Sequence, residues 1–447
     1  MKFTADFAVP IRKIGELNGA NNGPLHTYTD RSAEYRDMGI KFVRFHETHS
    51  QEANCVEMPH IFRDFDKDEN DPANYYFGAT DAVITAAHNE GIEIMYRLGM
   101  GTENLSPPRR YLEVPRSFIK WAKIAEHIIA HYNEGWANGF HYNIRYWEIW
   151  NEADIVEYWP ASRKTYLRFY SIASNYLKKR FPDILIGPSG FANMLDPAHE
   201  ELAQDPEKAT SSRVAFYRSL FRRAAKGEYP MDFFPWHFYG RTSAKIERYC
   251  SQIDQLKKEH GFDERLESIN TEWNAISLDR LDGKLGAWDM SQMTQMKSAI
   301  CAINAMIVMQ KHGVTKAAYY NTDEVSWFCG FYYFDGEIRN HYYSMKAFQM
   351  LKEAETEVET TGDSDTVRMC AAGNAKKGVV LIGNESKQDE KITLTLKNIG
   401  NVPYTLYLFD AENRLKPVRH GFLTGRAVCI HLKGESAAVM VIDREGK

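Results

Sequence analysis

Several features are missing from the 447-residue sequence, and each absence excludes a class of protein. No apolar run is long enough for the core of a signal peptide or for a helix that spans a membrane. No basic arm or stripe of lysine and arginine occurs, which argues against nucleic-acid binding. From the sequence as given we therefore expect a cytoplasmic protein that binds neither a membrane nor nucleic acid.

The cysteine pattern argues against a disulfide framework. Six cysteines are scattered along the chain, and no two of them have the Cys-x-x-Cys spacing. This pattern predicts reduced, mostly buried thiols. The rest of the composition is that of a globular protein, with 44% hydrophobic residues, 26% charged residues and a net charge of -5. Composition leaves the oligomeric state open, including a homo-oligomer.

The order of the predicted elements indicates a (β/α)8 TIM barrel. Strand and helix patterns alternate from near Ile11 to near Leu351, a length that suits such a barrel. The predicted strands are Ile11–Leu17, Ile40–His46, Ile92–Leu98, Ile144–Trp150, Ile184–Gly187, Asp232–Tyr239, Leu266–Thr271 and Thr315–Tyr320. The Gly- and Asn-rich segment Asn18–Pro24 predicts an irregular loop over the mouth of the sheet. A doubly wound open sheet is the alternative, because one misassigned element would change the count.

The predicted secondary structure changes after about residue 355. Short β-rich runs follow one another, separated by Gly, Asn and Asp turns and without a helix pattern between them. This arrangement is typical of a β-sandwich or a jelly-roll-like domain. We therefore predict a barrel over residues 1–354 and a β-sandwich domain over residues 355–447.

Two predicted strands carry a glutamate at or near their carboxyl ends. Glu152 follows the fourth strand in the stretch Trp147-Glu-Ile-Trp-Asn-Glu, and Glu272 lies in Thr271-Glu-Trp at the end of the seventh. The carboxyl ends of barrel strands meet at one rim, where barrel enzymes place their chemistry. Two carboxyl groups at one rim are what the hydrolysis of a glycosidic bond requires. Glu148 lies deeper in the fourth strand, and we expect it to be a structural hydrogen-bonding residue.

These motifs, in this order, resemble the clan A glycoside hydrolases, and in particular family 39, which contains β-xylosidases and α-L-iduronidases. Besides the two glutamate motifs, the resemblance includes Val43-Arg-Phe-His on the second strand, Asn18-Gly-Ala-Asn-Asn-Gly-Pro before it, and Trp236-His-Phe-Tyr on the sixth. It extends over most of the barrel and the following β domain.

The resemblance implies roles for individual residues. Glu152 would be the acid/base, Glu272 the retaining nucleophile, and Asn151 a contact to the sugar hydroxyl next to the anomeric carbon. Three further residues match positions that line the sugar pocket: His46, His237 and Tyr239. Tyr239 would hydrogen-bond Glu272. The alternative for each histidine is a buried core residue whose hydrogen bonds are satisfied within the protein.

The sequence departs from the xylosidases after the eighth strand. They carry a tryptophan and paired acidic residues there, where this chain reads Tyr320-Asn-Thr-Asp-Glu-Val-Ser-Trp-Phe. Asp323, Glu324 or Trp327 would substitute for them. Trp327 and Trp273 are candidate sugar platforms, with core packing as the alternative for each.

Other motifs give no cofactor site. A metalloprotease helix requires two histidines four residues apart, whereas those of His46-Glu-Thr-His49 are three apart. Gly99-Met-Gly101 lacks the third glycine of a dinucleotide fingerprint. There is no Gly-x-Ser-x-Gly elbow. We therefore expect neither a metal nor another cofactor.

The sequence thus predicts an enzyme, a retaining glycoside hydrolase that acts on oligosaccharides. The best single expectation is an exo-acting enzyme that removes terminal β-1,4-linked xylosyl residues. The alternatives are another glycone in the same family (α-L-iduronidase, arabinosidase, β-galactosidase or β-glucosidase type) and a catalytically inactive, carbohydrate-binding barrel.

Overall fold

Two β-sheets organise the chain in the computed structural model. It describes residues 1–27, 29–48, 54–101, 113–156, 158–192, 213–262, 265–275, 295–322, 330–333, 335–425 and 427–445. The chain begins with strand β1 (Lys2–Lys13), which belongs to the second sheet. The first sheet contains β2 (Glu16–Asn21), β3 (Phe42–Phe45), β4 (Glu93–Leu98), β5 (Tyr146–Ile149), β6 (Leu185–Gly187), β7 (Phe233–Tyr239), β8 (Glu267–Asn274) and β9 (Lys316–Tyr319).

The first sheet forms the predicted barrel. Its strands are parallel and follow the order β6-β5-β4-β3-β2-β9-β8-β7. An isolated parallel bridge between Phe191 and Trp236 joins the two ends. The described helices are α1 (Ser32–Asp37), α2 (Met58–Ile61), α3 (Gly78–Asn89), α4 (Phe118–Asn133), α5 (Arg163–Arg180), α6 (Arg213–Ala225), α7 (Ser243–Glu259), α8 (Met296–Lys311) and α9 (Asn340–Lys352). The predicted fold class, a (β/α)8 barrel with a C-terminal β domain, is therefore confirmed.

Side chains inside the barrel lie in layers, because alternate residues of a strand point to the same face. The lower layer is apolar and consists of Phe42, Met95, Tyr146, Phe233, Ile269 and Ala318. Two residues further along their strands, Arg44, Arg97 and Glu148 form a polar layer and are fully buried. This polar layer is the floor beneath the carboxyl ends of the strands.

The first barrel strand lies further along the chain than its sequence predicts. The strand covers Glu16–Asn21, so the prediction of an irregular loop from Asn18 is wrong. Asn18 and Asn21 are fully buried. The Asn18 side chain donates to the Met38 carbonyl at 2.8 Å, and Asn21 donates to the Thr271 and Ala318 carbonyls at 3.0 and 2.9 Å. These tertiary hydrogen bonds satisfy amides that, by local pattern alone, favour a turn.

The second sheet has nine strands. Besides β1 it contains β10 (Thr356–Thr361), β11 (Val367–Gly373), β12 (Lys377–Asn384), β13 (Glu390–Lys397), β14 (Pro403–Phe409), β15 (Arg414–Phe422), β16 (Ala427–Leu432) and β17 (Ser436–Asp443). Their order is β15-β14-β17-β12-β11-β10-β1-β13-β16. Residues near opposite ends of this order, such as Ile430 and Leu406, share one hydrophobic core, so the sheet folds over itself as a sandwich.

The other face of this sheet packs on the barrel. Leu381, Val439 and Phe409 belong to the same hydrophobic cluster as helices α8 and α9. Polar contacts cross the junction as well, since Gln310 of α8 donates to Glu357 at 2.8 Å and to the Lys13 carbonyl at 3.2 Å. Barrel and sandwich therefore share an extensive buried interface.

Strand β1 ties the start of the chain to the sandwich. It pairs antiparallel with β10 and parallel with β13, so it lies inside the second sheet. The sequence analysis assigned residues 1–354 to the barrel, whereas the structure places Lys2–Lys13 in the other sheet. The alternation of Phe3, Ala5 and Phe7 toward the sandwich core explains this position.

Two further observations concern the chain as a whole. The five described cysteines are unpaired thiols, four of them buried, with Cys429 exposed, whereas Cys329 lies outside the described residues. Among the described helices, none has the length and apolar character that crossing a bilayer requires.

We expect Phe3→Ala to destabilise the protein strongly. Phe3 is 1% exposed, and truncation of a buried phenylalanine costs about 3–5 kcal/mol. Val9→Ala is the matched control in the same strand, because Val9 is 38% exposed and should change stability by less than about 0.5 kcal/mol. Urea denaturation of both variants measures the difference, and equal effects would contradict the position of β1.

Candidate active site

The chain turns sharply where β5 ends. Trp150 and Glu152 both have left-handed backbone angles, with φ of 77° and 42°, which large side chains rarely adopt. Asn151 forms an isolated bridge with Gly190, and the Glu152 N–H donates to the Gly190 carbonyl at 2.9 Å. This turn directs the Trp150 ring outward against Trp121 and places Asn151 and Glu152 at the rim of the barrel. Such strained conformations persist at functional sites, where the surroundings hold them.

An irregularity in β8 brings Glu272 into the barrel. The pairing with β7 shifts by one residue, since Trp236 faces Asn270 and His237 faces Glu272. A β-bulge of this kind lets two successive side chains point to the same face. The Thr271 hydroxyl contacts Glu148 at 3.4 Å, and Glu272 contacts Arg44, so both residues face inward.

Glu152 and Glu272 meet at a shared histidine. His237 Nδ1 lies 2.7 Å from Glu152 Oε1 and 3.7 Å from Glu272 Oε2. The donor atoms of the three side chains all lie within 4.8 Å of one another. Each glutamate side chain is 8% exposed. Two carboxyl groups from the fourth and seventh barrel strands therefore open into one site.

Arg44 of β3 holds the floor of this site together. Its guanidinium is fully buried and donates to Glu148 Oε2 at 2.6 Å and to Glu272 Oε2 at 3.1 Å. It also donates to the side-chain oxygens of Asn21 at 3.2 Å and Asn151 at 2.9 Å. The planar guanidinium therefore fixes the positions of four partners, which lie on three other strands and on the turn after β5.

Glu148 has the structural position expected for it. Its second oxygen, Oε1, accepts from the Gly190 N–H at 2.6 Å, and its side chain has no exposed surface. The carboxylate therefore joins β5 to Arg44 and to the segment after β6, below the rim that holds Glu152.

His46 and Tyr239 also reach Glu272. His46 Nε2 lies 3.6 Å from Glu272 Oε2, and the Tyr239 hydroxyl donates to Glu272 Oε1 at 2.5 Å. The expected hydrogen bond between Tyr239 and Glu272 is therefore present. Together with His237 and Asn151, these residues surround the two glutamates on several sides.

The two candidate tryptophan platforms differ. Trp273 is fully buried, with its ring edge-on to Tyr319 at 5.2 Å in the main hydrophobic core. Because it follows the inward-facing Glu272, it points to the helix side of β8, and its position does not agree with a sugar platform. Trp327 lies outside the described residues.

Burial and neighbouring charges separate the proton affinities of the two glutamates. Burial raises the pKa of Glu152 well above its usual value, and the negative charges of Asp154 and Glu47 raise it further. Burial also raises the pKa of Glu272, as do the charges of Glu152 and Glu47, while His237 and Arg44 lower it. Arg44 lowers the pKa of Glu152 too, but of the two glutamates it is Glu272 that accepts its hydrogen bond. The site therefore favours a protonated Glu152 beside an ionised Glu272.

Among the described residues, Glu152, His237 and Glu272 are also the group whose donor atoms could surround a metal ion. Glu272 Oε2 already accepts from the permanently charged Arg44. A cation at this position would have to compete with the guanidinium. The expectation of a site without metal stays a prediction.

Sequence reasoning did not single out Arg44, Arg97 or Glu47, although all three are buried in or beside the site. The available signal was an arginine directly before the last residue of two largely apolar strands, Phe42–Phe45 and Glu93–Leu98. A charged residue in a strand that is buried on both faces must be paired, so it indicates a polar partner inside the barrel.

We expect Arg44→Met to destabilise the protein by about 3–5 kcal/mol, because it leaves the carboxylates of Glu148 and Glu272 buried without their partner. Arg116→Met is the matched control, since the Arg116–Asp66 ion pair is exposed on both sides and contributes at most about 1 kcal/mol. Thermal and urea denaturation compare the two. Similar stabilities would show that Arg44 does not hold the floor together.

Comparison with solved structures shows the same fold throughout the chain. A glucosidase from Croceicoccus marinus matches with a TM-score of 0.77 at 18% identity, covering 99% of each chain. A monomeric β-xylosidase from Caulobacter crescentus matches with a TM-score of 0.70 at 12% identity over 100% of each chain. An α-L-arabinofuranosidase from Thermotoga maritima matches with a TM-score of 0.68 at 14% identity over 99% of each chain. A comparison with curated proteins gave no match.

The sequence itself matches a family model. Residues 26–281 fit the model of the glycosyl hydrolases family 39, which is more than half of the chain and includes both rim glutamates. The fold, the paired carboxyl groups and this match agree. The chain belongs to glycosyl hydrolases family 39.

Proposed function

We propose that the protein is a retaining glycoside hydrolase in which Glu152 is the acid/base and Glu272 the nucleophile. The observation that carries the proposal is the pair of carboxyl groups at one rim, in which one oxygen of Glu152 lies within 4.8 Å of one oxygen of Glu272. Retaining enzymes separate these groups by about 5–5.5 Å, whereas inverting enzymes leave roughly 6.5–9.5 Å for a water molecule. The spacing here favours direct attack by one carboxylate.

In the first step a Glu272 oxygen forms a bond to the anomeric carbon while the glycosidic carbon–oxygen bond breaks. Glu152 gives its proton to the departing oxygen, so the leaving sugar departs as a neutral alcohol. In the second step Glu152 takes a proton from water, the water oxygen attacks the anomeric carbon, and the bond to Glu272 breaks. Two inversions retain the configuration.

The neighbours of each glutamate support these roles. The raised pKa keeps the proton on Glu152 until a leaving group accepts it. Arg44 and Tyr239 donate to the two oxygens of Glu272 and stabilise its ionised form. Once the bond to the sugar forms, this negative charge disappears.

Asn151 would bind the sugar hydroxyl next to the anomeric carbon. Arg44 donates to its side-chain oxygen at 2.9 Å, which orients the amide so that its NH2 group is the end left for substrate. His46 and His237 would line the same pocket, and both are neutral because burial lowers the pKa of each. The sugar would therefore meet uncharged imidazoles.

For the substrate, we propose terminal β-1,4-linked xylosyl residues of oligosaccharides. The support is the family and the similarity of the fold to β-xylosidases, while similar folds of a glucosidase and an arabinofuranosidase keep those glycones as alternatives. A panel of nitrophenyl xyloside, arabinosides, galactoside, glucoside and iduronide decides among them. A non-catalytic, carbohydrate-binding barrel is the alternative of another class, and it would hydrolyse none of the panel.

We expect Glu152→Gln to lower kcat/KM on a natural disaccharide by about 10²–10⁴-fold, because the leaving oxygen loses its general acid. A dinitrophenyl glycoside needs no protonation, so its first step should be nearly unchanged. Glu134→Gln, on the exposed side of the barrel, is the control. Full activity of Glu152→Gln on the disaccharide would contradict the assignment.

The pH profile gives a second measure of the same variant. On the alkaline side, wild-type activity should decline as the pH rises through the raised pKa of Glu152, because the general acid loses its proton. On the acidic side, it should decline as Glu272 takes up a proton. In Glu152→Gln, assayed on the dinitrophenyl glycoside, the alkaline decline should vanish and the acidic one should remain. An alkaline decline that persists would assign it to another group.

We expect a 2-fluoro glycoside with a good leaving group to label Glu272, because the fluorine slows the second step and traps the sugar on the nucleophile. Peptide mapping by mass spectrometry should place the label on Glu272 in the wild type and find none in Glu272→Ala. A label on Glu148 or Glu47 would refute the nucleophile assignment.

A further inference from the structure

Strand β8 contains one extra residue just before the nucleophile, relative to both of its neighbours. The pairing with β7 passes from Asn270 directly to Glu272 and skips Thr271. The pairing with β9 shifts in the same stretch, between Asn270 and Trp273. Because both neighbours show the shift, the extra residue belongs to β8 itself. We call the segment Asn270–Glu272 the β8 bulge.

The β8 bulge decides where the nucleophile points. Ile269 belongs to the apolar layer inside the barrel, so in a regular strand Thr271 would also face inward and Glu272 would face the helices. The extra residue turns Glu272 inward as well, where Arg44 and Tyr239 donate to its two oxygens. A bulge disrupts the hydrogen bonds of the sheet locally, so the backbone groups around it need other partners.

Asn270 lies at the start of the β8 bulge and is fully buried. Alternation along the strand directs its side chain to the helix side of the barrel, where its amide lies 3.5 Å from the sulfur of Met309 in α8. A buried amide in apolar surroundings is costly unless it is hydrogen-bonded. The partners of this amide are backbone groups of the bulge and of the adjacent strand.

The Asn270 amide bridges the two strands across the bulge. Its nitrogen donates to the carbonyl of Trp236 in β7 and to the carbonyl of Glu272, each at 3.0 Å. The opposite orientation would set the amide oxygen against the same two carbonyl oxygens, and none of these three atoms can donate. One side chain therefore fixes the two ends of the bulge relative to each other and to β7.

A second asparagine binds the middle of the bulge from inside the barrel. Asn21 of β2 donates to the Thr271 carbonyl at 3.0 Å and accepts from Arg44 at 3.2 Å. Asn21 thereby joins the bulge to the guanidinium that binds Glu272. The backbone of the bulge is thus held from both faces of the sheet, by Asn21 on the inner face and by Asn270 on the outer face.

We propose that Asn270 is a positioning residue for the reaction, because its amide clamps the β8 bulge and so holds the Glu272 carboxylate toward the anomeric carbon. This inference rests on the proposed glycosidase function. It deepens that function by assigning the position of the nucleophile to a side chain outside the sugar pocket. A displacement of about 1 Å at the reacting atoms can cost about 100-fold in rate, so such a clamp affects catalysis directly.

The test compares Asn270→Leu with Asn384→Leu. Leucine has a volume similar to that of asparagine but lacks the two donors. Asn384 of β12 is the matched control, since it is a fully buried asparagine that also donates to two backbone carbonyls, those of Gln388 and Lys433, and it lies in the sandwich. Thermal melts of both variants set an assay temperature at which each is folded.

The 2-fluoro glycoside separates the position of the nucleophile from the binding of the sugar. The maximal rate of labelling reports the attack by Glu272, and the concentration that gives half of this rate reports binding. Asn270→Leu should lower the maximal rate by about 10- to 100-fold and leave the half-maximal concentration nearly unchanged. Asn384→Leu should leave the maximal rate within about twofold of the wild type.

The choice of substrate gives a second readout. The dinitrophenyl glycoside needs the nucleophile but no general acid, so Asn270→Leu should lower kcat/KM on this substrate and on the natural disaccharide by a similar factor. A fault at Glu152 would instead spare the dinitrophenyl glycoside. A loss confined to the disaccharide would therefore overturn the proposal.

The remaining outcomes are equally decisive. An unchanged maximal labelling rate in folded Asn270→Leu, or an equal loss in Asn384→Leu, would show that Asn270 only stabilises the fold. If Asn270→Leu does not fold, Asn270→Ala serves in the same comparison. A crystal structure of the 2-fluoro glycosyl-enzyme needs no variant, and an Asn270 amide that does not contact the Trp236 and Glu272 carbonyls there would overturn the proposal. A wild type that cleaves no glycoside and takes up no label would instead contradict the proposed function itself.

Discussion

The buried guanidinium of Arg44 is the interaction on which the site depends. Burying a charge is costly unless it is paired and its hydrogen bonds are satisfied, and Arg44 meets both conditions through two carboxylates and two amides. Its partners come from β2, β5, the turn after β5 and β8. A planar fork can satisfy all of them only in one relative position of these strands, so one side chain fixes the register of the barrel floor.

The surroundings of the site explain how two identical side chains acquire different proton affinities. Glu152 and Glu272 are equally buried, and burial alone would raise the pKa of both. The difference comes from neighbours, because Asp154 adds negative charge beside Glu152, whereas Arg44 and the Tyr239 hydroxyl donate hydrogen bonds to Glu272. The difference in proton affinity between the two glutamates therefore arises from the protein side chains around them.

The sandwich contributes to this arrangement from outside. It packs on α8 and α9, and α8 connects β8, which carries Glu272, to β9, which leads to Tyr320. Glu357 and Gln310 join the two parts by a buried hydrogen bond. Because β1 is inserted into the sandwich and β2 into the barrel, the first 21 residues of the chain connect both sheets. The second domain is thus a brace for one side of the barrel.

Local sequence pattern was enough to predict the barrel, the C-terminal β domain and the positions of Glu152 and Glu272 at strand ends. These predictions succeed because strand periodicity and turn residues are short-range signals. It also distinguished the structural Glu148 from Glu152 at the rim, because Glu148 lies four residues earlier, within the strand. It did not reveal the strand that begins with Glu16, since buried asparagines resemble a turn until their distant carbonyl partners are known.

Only the tertiary structure decided which groups meet. The register shift in β8 turns Glu272 inward and leaves Trp273 in the core, and no local signal in Thr271-Glu-Trp distinguishes the two outcomes. Arg44, Arg97 and Glu47 have hydrogen-bond partners up to 273 residues away in the sequence. The sequence by itself determined the elements and the chemistry at their ends; the closing of the barrel decided the pairings, because contacts across a barrel depend on strand register rather than on neighbours in the chain.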